Sequence, residues 1–286
     1  MRAVTRRCLV ARLILPPLAL AIALAGTGCS SSPAKSSPDG GGDASTVNVA
    51  WDWVGVIGTG QSLSVGGNAP SVTATQQPYG NLKLSFGGAT VAPPFDPTIA
   101  SLAVVPLVEP IRPIATSYPS AYPDNIYGET PHTAMANQVT ALTMQAASHD
   151  YVTIHTVVGE NGQALTMIEK NPSGLPTTGT SGRAYDATLF EATAITRLAA
   201  AAGKTYGIGA IVMTHGESDA GNSVYADDLY QLLTDYNQDL SAITGQTAKI
   251  PMLLSQQNSV PTTTGSVAIS ALQQWQAGLD HPGEII

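Results

Sequence analysis

The sequence predicts an α/β domain in which a largely parallel sheet lies between two layers of helices. Three observations predict it. Apolar runs of strand length alternate with segments of helical periodicity, the order that builds parallel sheets through crossover connections. Four of the five runs lack an in–out alternation, as strands buried on both faces do. Polar, glycine-containing clusters follow three of the runs, at the carboxyl ends where open parallel sheets bind ligands.

The elements follow in order. Residues 1–28 stand apart from the domain. Arg2, Arg6, Arg7 and Arg12 precede an apolar run of 13 residues, Leu13 to Ala25, broken only by Pro16 and Pro17. This is the charge and length pattern of a secretory signal rather than of a spanning helix. Small residues lead to Cys29, whose only companion in the chain is Cys8 of the leader. An exported chain with one unpaired cysteine at its new N-terminus reads as a lipoprotein with lipid attached at Cys29. Residues 29–46 are rich in Ser, Pro and Gly and form a flexible tether. The domain is expected over 47–286.

Strands are expected at Val49 to Ile57, Ile99 to Leu107, Tyr151 to Val158, Ile208 to Thr214 and Ile250 to Ser255. Helices are expected over 131–148, with Thr130 as N-cap and Pro131 in the first turn, and over 186–202, 224–243 and 267–279. Gly203 and Gly245 end two of them. Residues 64–128 break the rhythm with many prolines and glycines and one hairpin strand at Leu82 to Phe86. That stretch is read as an insertion over the active face.

Composition excludes some functions. The chain has 12 Lys+Arg against 20 Asp+Glu. Four of those cations lie in the leader, so the chain beyond residue 28 carries eight against twenty, a net charge of −12. That charge argues against nucleic-acid partners and against an electrostatic hold on an anionic membrane. No phosphate-cradling G-x-x-x-x-G-K is present, and the histidines are too dispersed for a recognisable metal signature. No cofactor is implied. Trp51, Trp53, Trp275 and the ten tyrosines could stack on sugars, or pack at the core and rim.

The three clusters carry the chemistry. Gly60-Gln61-Ser62 follows the first strand, Gly159-Glu160-Asn161-Gly162 the third, and His215-Gly216-Glu217-Ser218-Asp219-Ala220 the fourth. Together they resemble the SGNH (GDSL-like) hydrolase superfamily, and within it the sialate O-acetylesterase-like carbohydrate esterases. That branch has G-Q-S as its first block and Q-G-E-S-D-A as a later one. The resemblance runs over roughly residues 50–286 and is most specific at Gly216 to Ala220. It implies a flavodoxin-like three-layer fold and removal of O-acetyl groups from carbohydrate, with Ser62 as nucleophile. It further implies an oxyanion hole from the Ser62 N–H, the Gly159 N–H and the Asn161 side chain. Gln61, Glu217 and Asp219 are supporting residues.

The chain departs from the branch twice. His215 stands where glutamine is usual, and reads either as a replacement oxyanion donor or as a histidine packed under the loop. The branch's base lies in a C-terminal D-x-x-H block, and none of His132, His149, His155, His215 and His281 lies in such a block. The chain is expected to stop at the start of the last strand, as a truncated and weakly active form. His281, next to Asp280, is the base candidate that remains. The alternatives are a non-catalytic carbohydrate-binding lipoprotein and a general short-chain carboxylester hydrolase.

Overall fold

The computed structural model describes residues 50–147, 150–173, 179, 181–256 and 269–286. Cys29, the leader, the tether and His149 lie outside them. The elements are β1 (Trp53–Gly60), a short 3₁₀ helix (Ser62–Val65), β2 (Leu82–Ser85), β3 (Ala103–Pro106), α1 (His132–Ala147) and β4 (Val152–Val157). The chain continues through α2 (Leu165–Ile168), α3 (Arg183–Ala201), β5 (Tyr206–Thr214), α4 (Tyr225–Thr244), β6 (Met252–Leu254) and α5 (Ile269–Asp280). The sheet order is β3-β2-β4-β1-β5-β6, parallel except for the β2–β3 pair. This is a flavodoxin-like α/β sandwich.

Side-chain alternation on β4 shows how the faces are divided. Ile154 and Val158 pack with Phe190, Ile195, Leu229 and Leu233 of α3 and α4. Val157 packs with Ala136 of α1 and with Val65, Leu107, Ile111 and Ile126 on the opposite face. β4 is therefore buried on both faces, one closed by apolar side chains and the other also by the buried Thr153 and His155. α4 shows the periodicity expected of it: Leu229, Leu232, Leu233, Tyr236 and Leu240 are buried, and Gly245 at φ 73° ends the helix with its N–H on the Ser241 carbonyl.

One expectation needs correction. The run at 99–107 is not a doubly buried parallel strand. β3 is a half-exposed edge strand of four residues that pairs antiparallel with β2 and ends at Pro106, whose missing N–H confines it to an edge. The hairpin strand expected at Leu82 to Phe86 forms as β2, antiparallel to β3, and it also joins the main sheet in parallel beside β4. The insertion thus extends the sheet. Beyond β6, Met252 N–H donates to the Glu284 carbonyl and Ile286 N–H to the Met252 carbonyl, at 2.8 and 2.9 Å. Residues 284–286 therefore run parallel beside β6, as the start of a strand does.

Candidate active site

β1 ends on Gly60, whose φ of +128° disfavours other residues and whose added Cβ would stand 2.1 Å from the Thr214 carbonyl oxygen. The close approach lets Gln61 N–H reach that carbonyl at 2.9 Å. The chain then turns into the 3₁₀ helix that carries Ser62. Two features fix this turn. Ser64 Oγ donates to the Gln61 carbonyl at 2.7 Å, and the Ser62 carbonyl accepts the N–H groups of Gly66 and Gly67. Among the described residues nothing engages the Ser62 hydroxyl or its N–H, and the side chain is half-buried.

The loop after β4 lies against this turn. Glu160 N–H donates to the Gly60 carbonyl at 2.9 Å. A Cβ on Gly159 would stand 2.0 Å from Ser64 Oγ and 2.8 Å from the Gly60 carbonyl oxygen. Only glycine permits that contact, so the loop and the Ser62 turn meet through backbone. Asn125 Nδ2 donates to the Gly159 carbonyl at 2.7 Å. The Gly159 N–H is not engaged among the described residues, nor is the half-buried Asn161 amide.

The third cluster joins both. Gln61 Oε1 accepts Gly216 N–H and Ser218 N–H at 3.4 and 3.2 Å, and Ser218 Oγ donates to the Gly162 carbonyl at 3.2 Å. Buried Asp219 accepts Leu165 N–H at the start of α2. Half-buried Glu217 lies between them. All three clusters therefore sit at the carboxyl edge of the sheet, and Gln61 and Asp219 brace it.

His215 has a different place from the oxyanion one. Its ring is fully buried; Nε2 donates to the Gln163 carbonyl at 3.0 Å, and Nδ1 meets the Tyr225 hydroxyl at 2.5 Å. A carbonyl only accepts, so Nε2 carries the proton and the hydroxyl donates to Nδ1. Burial lowers its pKa, against the opposing pull of Asp219. With both nitrogens engaged it braces the loop from beneath, the second of the two readings its sequence allowed.

His281, the base candidate, stands away from the three clusters. Ile57 lies opposite Ile211, which lies opposite Met252, and Ile285 bridges to Met252. His281 precedes Ile285 through a turn, whereas Ser62 lies five residues beyond Ile57. At about 3.3 Å per residue and 4.8 Å per strand, the two are roughly 20 Å apart. The His281 ring is instead stacked on Tyr230, centroids 3.4 Å apart.

His132 and His155 form a buried pair between α1 and the sheet, Nδ1 to Nδ1 at 2.9 Å. Thr153 Oγ1 donates to Asn81 Oδ1, so it accepts from His155 Nε2 at 3.0 Å. His155 Nδ1 is then the acceptor and His132 Nδ1 the donor. Burial holds His132 down to about 4, and burial, with the neighbouring His132, holds His155 well below the usual histidine range. Both rings are neutral and used structurally.

Several residues that matter here gave no sequence signal. Arg112 and Glu191 form a buried ion pair at 3.2 Å. Arg112 also donates to Asn125 Oδ1 at 2.8 Å and to the Val157 carbonyl. It thereby holds the amide that clamps Gly159. Glu160 is buried, its pKa is pushed up to about 7 by desolvation against the pull of Arg183, and its Oε1 has no partner among the described residues. Arg183 and the Tyr122 backbone are its neighbours. A cavity of about 660 Å³ lined by Lys83, Phe86, Val91, Arg112 and Asp124 contains none of the cluster residues, so no catalytic role is given to it.

One of the solved structures similar to this chain shares its fold at a TM-score above 0.5. A protein from Arabidopsis thaliana is 16% identical over 82% of this chain and 84% of its own, with a TM-score of 0.51. NanS is 12% identical over 72% of this chain and 68% of its own, with a TM-score of 0.41. A carbohydrate acetylesterase from Xanthomonas citri is 11% identical over 82% of this chain and 48% of its own, with a TM-score of 0.47. The chain spans about half the length of that enzyme. At these identities the likeness is one of fold. No protein-family model matches the chain, and no curated protein matches it.

Proposed function

We propose that this domain is a serine ester hydrolase that removes acetyl groups from O-acetylated carbohydrate, without a cofactor. One observation carries the reading. Three strand-end loops meet at one sheet edge around the turn that carries Ser62, whose hydroxyl and N–H no described residue engages, and the Gly159 N–H is equally unengaged. Ser62 Oγ attacks the ester carbonyl as its proton passes to solvent; the tetrahedral intermediate collapses to an acetyl-serine and expels the sugar oxygen, which takes up a proton, and water then cleaves the acetyl-serine to acetate and free serine. The developing oxyanion takes hydrogen bonds from those two N–H groups and the Asn161 amide, donors set in place before the reaction. Gln61 holds the third loop in register. The proposal places the enzyme outside the cytoplasm, tethered through lipid on Cys29 and the Ser/Pro/Gly stretch behind it.

A second reading is favoured by one specific observation. Each of the four described histidines is committed elsewhere: His132 to His155, His215 to Tyr225 and Gln163, and His281 to Tyr230. Without a base the domain would bind acetylated sugar and not turn it over. Acetate release from an acetylated pyranoside, with labelling by a fluorophosphonate probe, separates the two. The esterase reading expects release and a label on Ser62, both lost in Ser62→Ala. Binding of the pyranoside with neither release nor label supports the binding module. Release that survives Ser62→Ala removes the serine from the mechanism.

A further inference from the structure

Residues 115–126 form a loop over the site whose shape is fixed before any ligand arrives. Ala115 N–H donates to the Ile126 carbonyl at 2.7 Å and closes its neck. Ser120 Oγ donates to the Ser117 carbonyl at 2.8 Å and tightens its tip. Arg112 anchors its far side through Asn125. At the tip stands Tyr118, 67% exposed, the most exposed large apolar side chain among the described residues.

The position of that ring is specific. Its hydroxyl lies 3.1 Å from where a Cβ on Gly162 would be, so it stands on the loop that carries Gly159 and Asn161. Its ring meets Tyr127 edge to face, centroids 5.9 Å apart at 62°. Tyr127 is itself fixed, its hydroxyl accepting Ser120 N–H at 2.7 Å and its N–H donating at 2.8 Å to the carbonyl of Val65, the last residue of the Ser62 helix. The two tyrosines thus bridge the turn that carries the nucleophile and the loop that carries the proposed oxyanion donors. A pyranose ring has a face of C–H groups that is apolar, with hydroxyl and ester groups at its rim. An immobilised aromatic ring binds such a face at little entropic cost, because a tyrosine has only two side-chain torsions to fix.

We infer that Tyr118, braced by Tyr127, is the platform on which the pyranose ring of the substrate stacks while its acetyl ester lies at Ser62. This rests on the carbohydrate-esterase reading and assigns the residue that makes the enzyme prefer sugar esters over simple ones. Tyr118 is a surface side chain, so Tyr118→Ala should fold.

The test uses the full chain, a methyl pyranoside carrying acetyl esters, and methyl acetate as the ester without a sugar. Tyr118→Ala should raise KM for the pyranoside about fivefold to tenfold relative to methyl acetate, the size expected for loss of one ring contact. Tyr118→Phe should behave like the unmodified protein. Calorimetric titration of the pyranoside into Ser62→Ala and Ser62→Ala/Tyr118→Ala should show the same loss in Kd without turnover. Equal Kd values, no pyranoside binding to Ser62→Ala, or a Tyr118→Phe variant as weak as Tyr118→Ala each overturns the platform. If Ser62→Ala still releases acetate, the serine reading fails by itself, and the KM ratio then decides for Tyr118.

Discussion

Replacing Arg112 by methionine isolates the interaction that ties the insertion to the sheet. The Arg112 and Glu191 side chains are 6% and 1% exposed, and their closest atoms are 3.2 Å apart. Arg112 Nε also donates to the Pro123 carbonyl at 3.2 Å, and its guanidinium lies 4.6 Å above the Tyr122 ring. Methionine fills much of the volume but leaves Glu191 buried with only the Tyr122 hydroxyl, at 2.8 Å, and Thr156 to hold it. Removing one partner of a buried pair costs about 3–5 kcal/mol, because the other charge is stranded. Domains are stable by about 5–15 kcal/mol, so the urea midpoint should fall by about 1–2 M.

Arg112→Met/Glu191→Leu strands no charge and should recover at least half of the loss. The penalty should also depend on pH. Burial raises the Glu191 pKa, and Arg112 opposes it. Without Arg112 it rises further, so the folded state takes up a proton that the unfolded carboxylate takes up only at lower pH. Stability conferred by that protonated form is present at low pH and lost as pH rises, so the single variant should be closer to the parent at pH 5 than at pH 8. Urea unfolding followed by tryptophan fluorescence measures all three. A single-variant loss under about 1 kcal/mol, a double variant as unstable as the sum of its singles, or a pH-independent penalty would each refute the reasoning.

The buried histidine pair should be silent in a titration. His132 is held from 6.5 down to about 4, so NMR of the ring protons should show neither partner titrating between pH 8 and 5, and ¹⁵N shifts should place the protons on His132 Nδ1 and His155 Nε2. An unfolded ring protonates below about 6.5, so stability from the neutral pair should fall as pH drops from there toward 4, which the pH profile of unfolding in His132→Asn, compared with the parent, checks. Gly159→Ala should lower acetate release on the order of 100-fold, since an added Cβ would strike Ser64 Oγ at 2.0 Å and displace an oxyanion donor. Gly221→Ala, where a Cβ meets nothing within 4 Å, should be neutral. Cys29→Ala should move the protein from the membrane fraction to the soluble one, as read by fractionation and mass spectrometry, and equal partitioning with the parent would remove the anchor.

The sequence alone determined what depends on neighbours along the chain. Helical and strand periodicities are local, and so α4 with its terminal Gly245 and the strand run of β4 were legible within a few residues. The turn after β1 was legible for the same reason: Gly60 and the polar pair behind it are consecutive. That three such turns share one sheet edge followed from the parallel order alone, because every parallel strand ends on the same side. The tertiary structure decided everything that depends on which strands become neighbours. Arg112 meets Glu191 across 79 residues and Asn125 meets Gly159 across 34, and nothing in either residue's own surroundings announces its partner. β3 proved an antiparallel edge because pairing depends on a distant strand, not on its own apolar run. His215 could have been donor or brace from its position in the loop, and the hydroxyl of Tyr225 and the carbonyl of Gln163 chose between them. His281 lies near Asp280 in sequence, yet strand register, rather than order along the chain, sets its distance from the Ser62 turn.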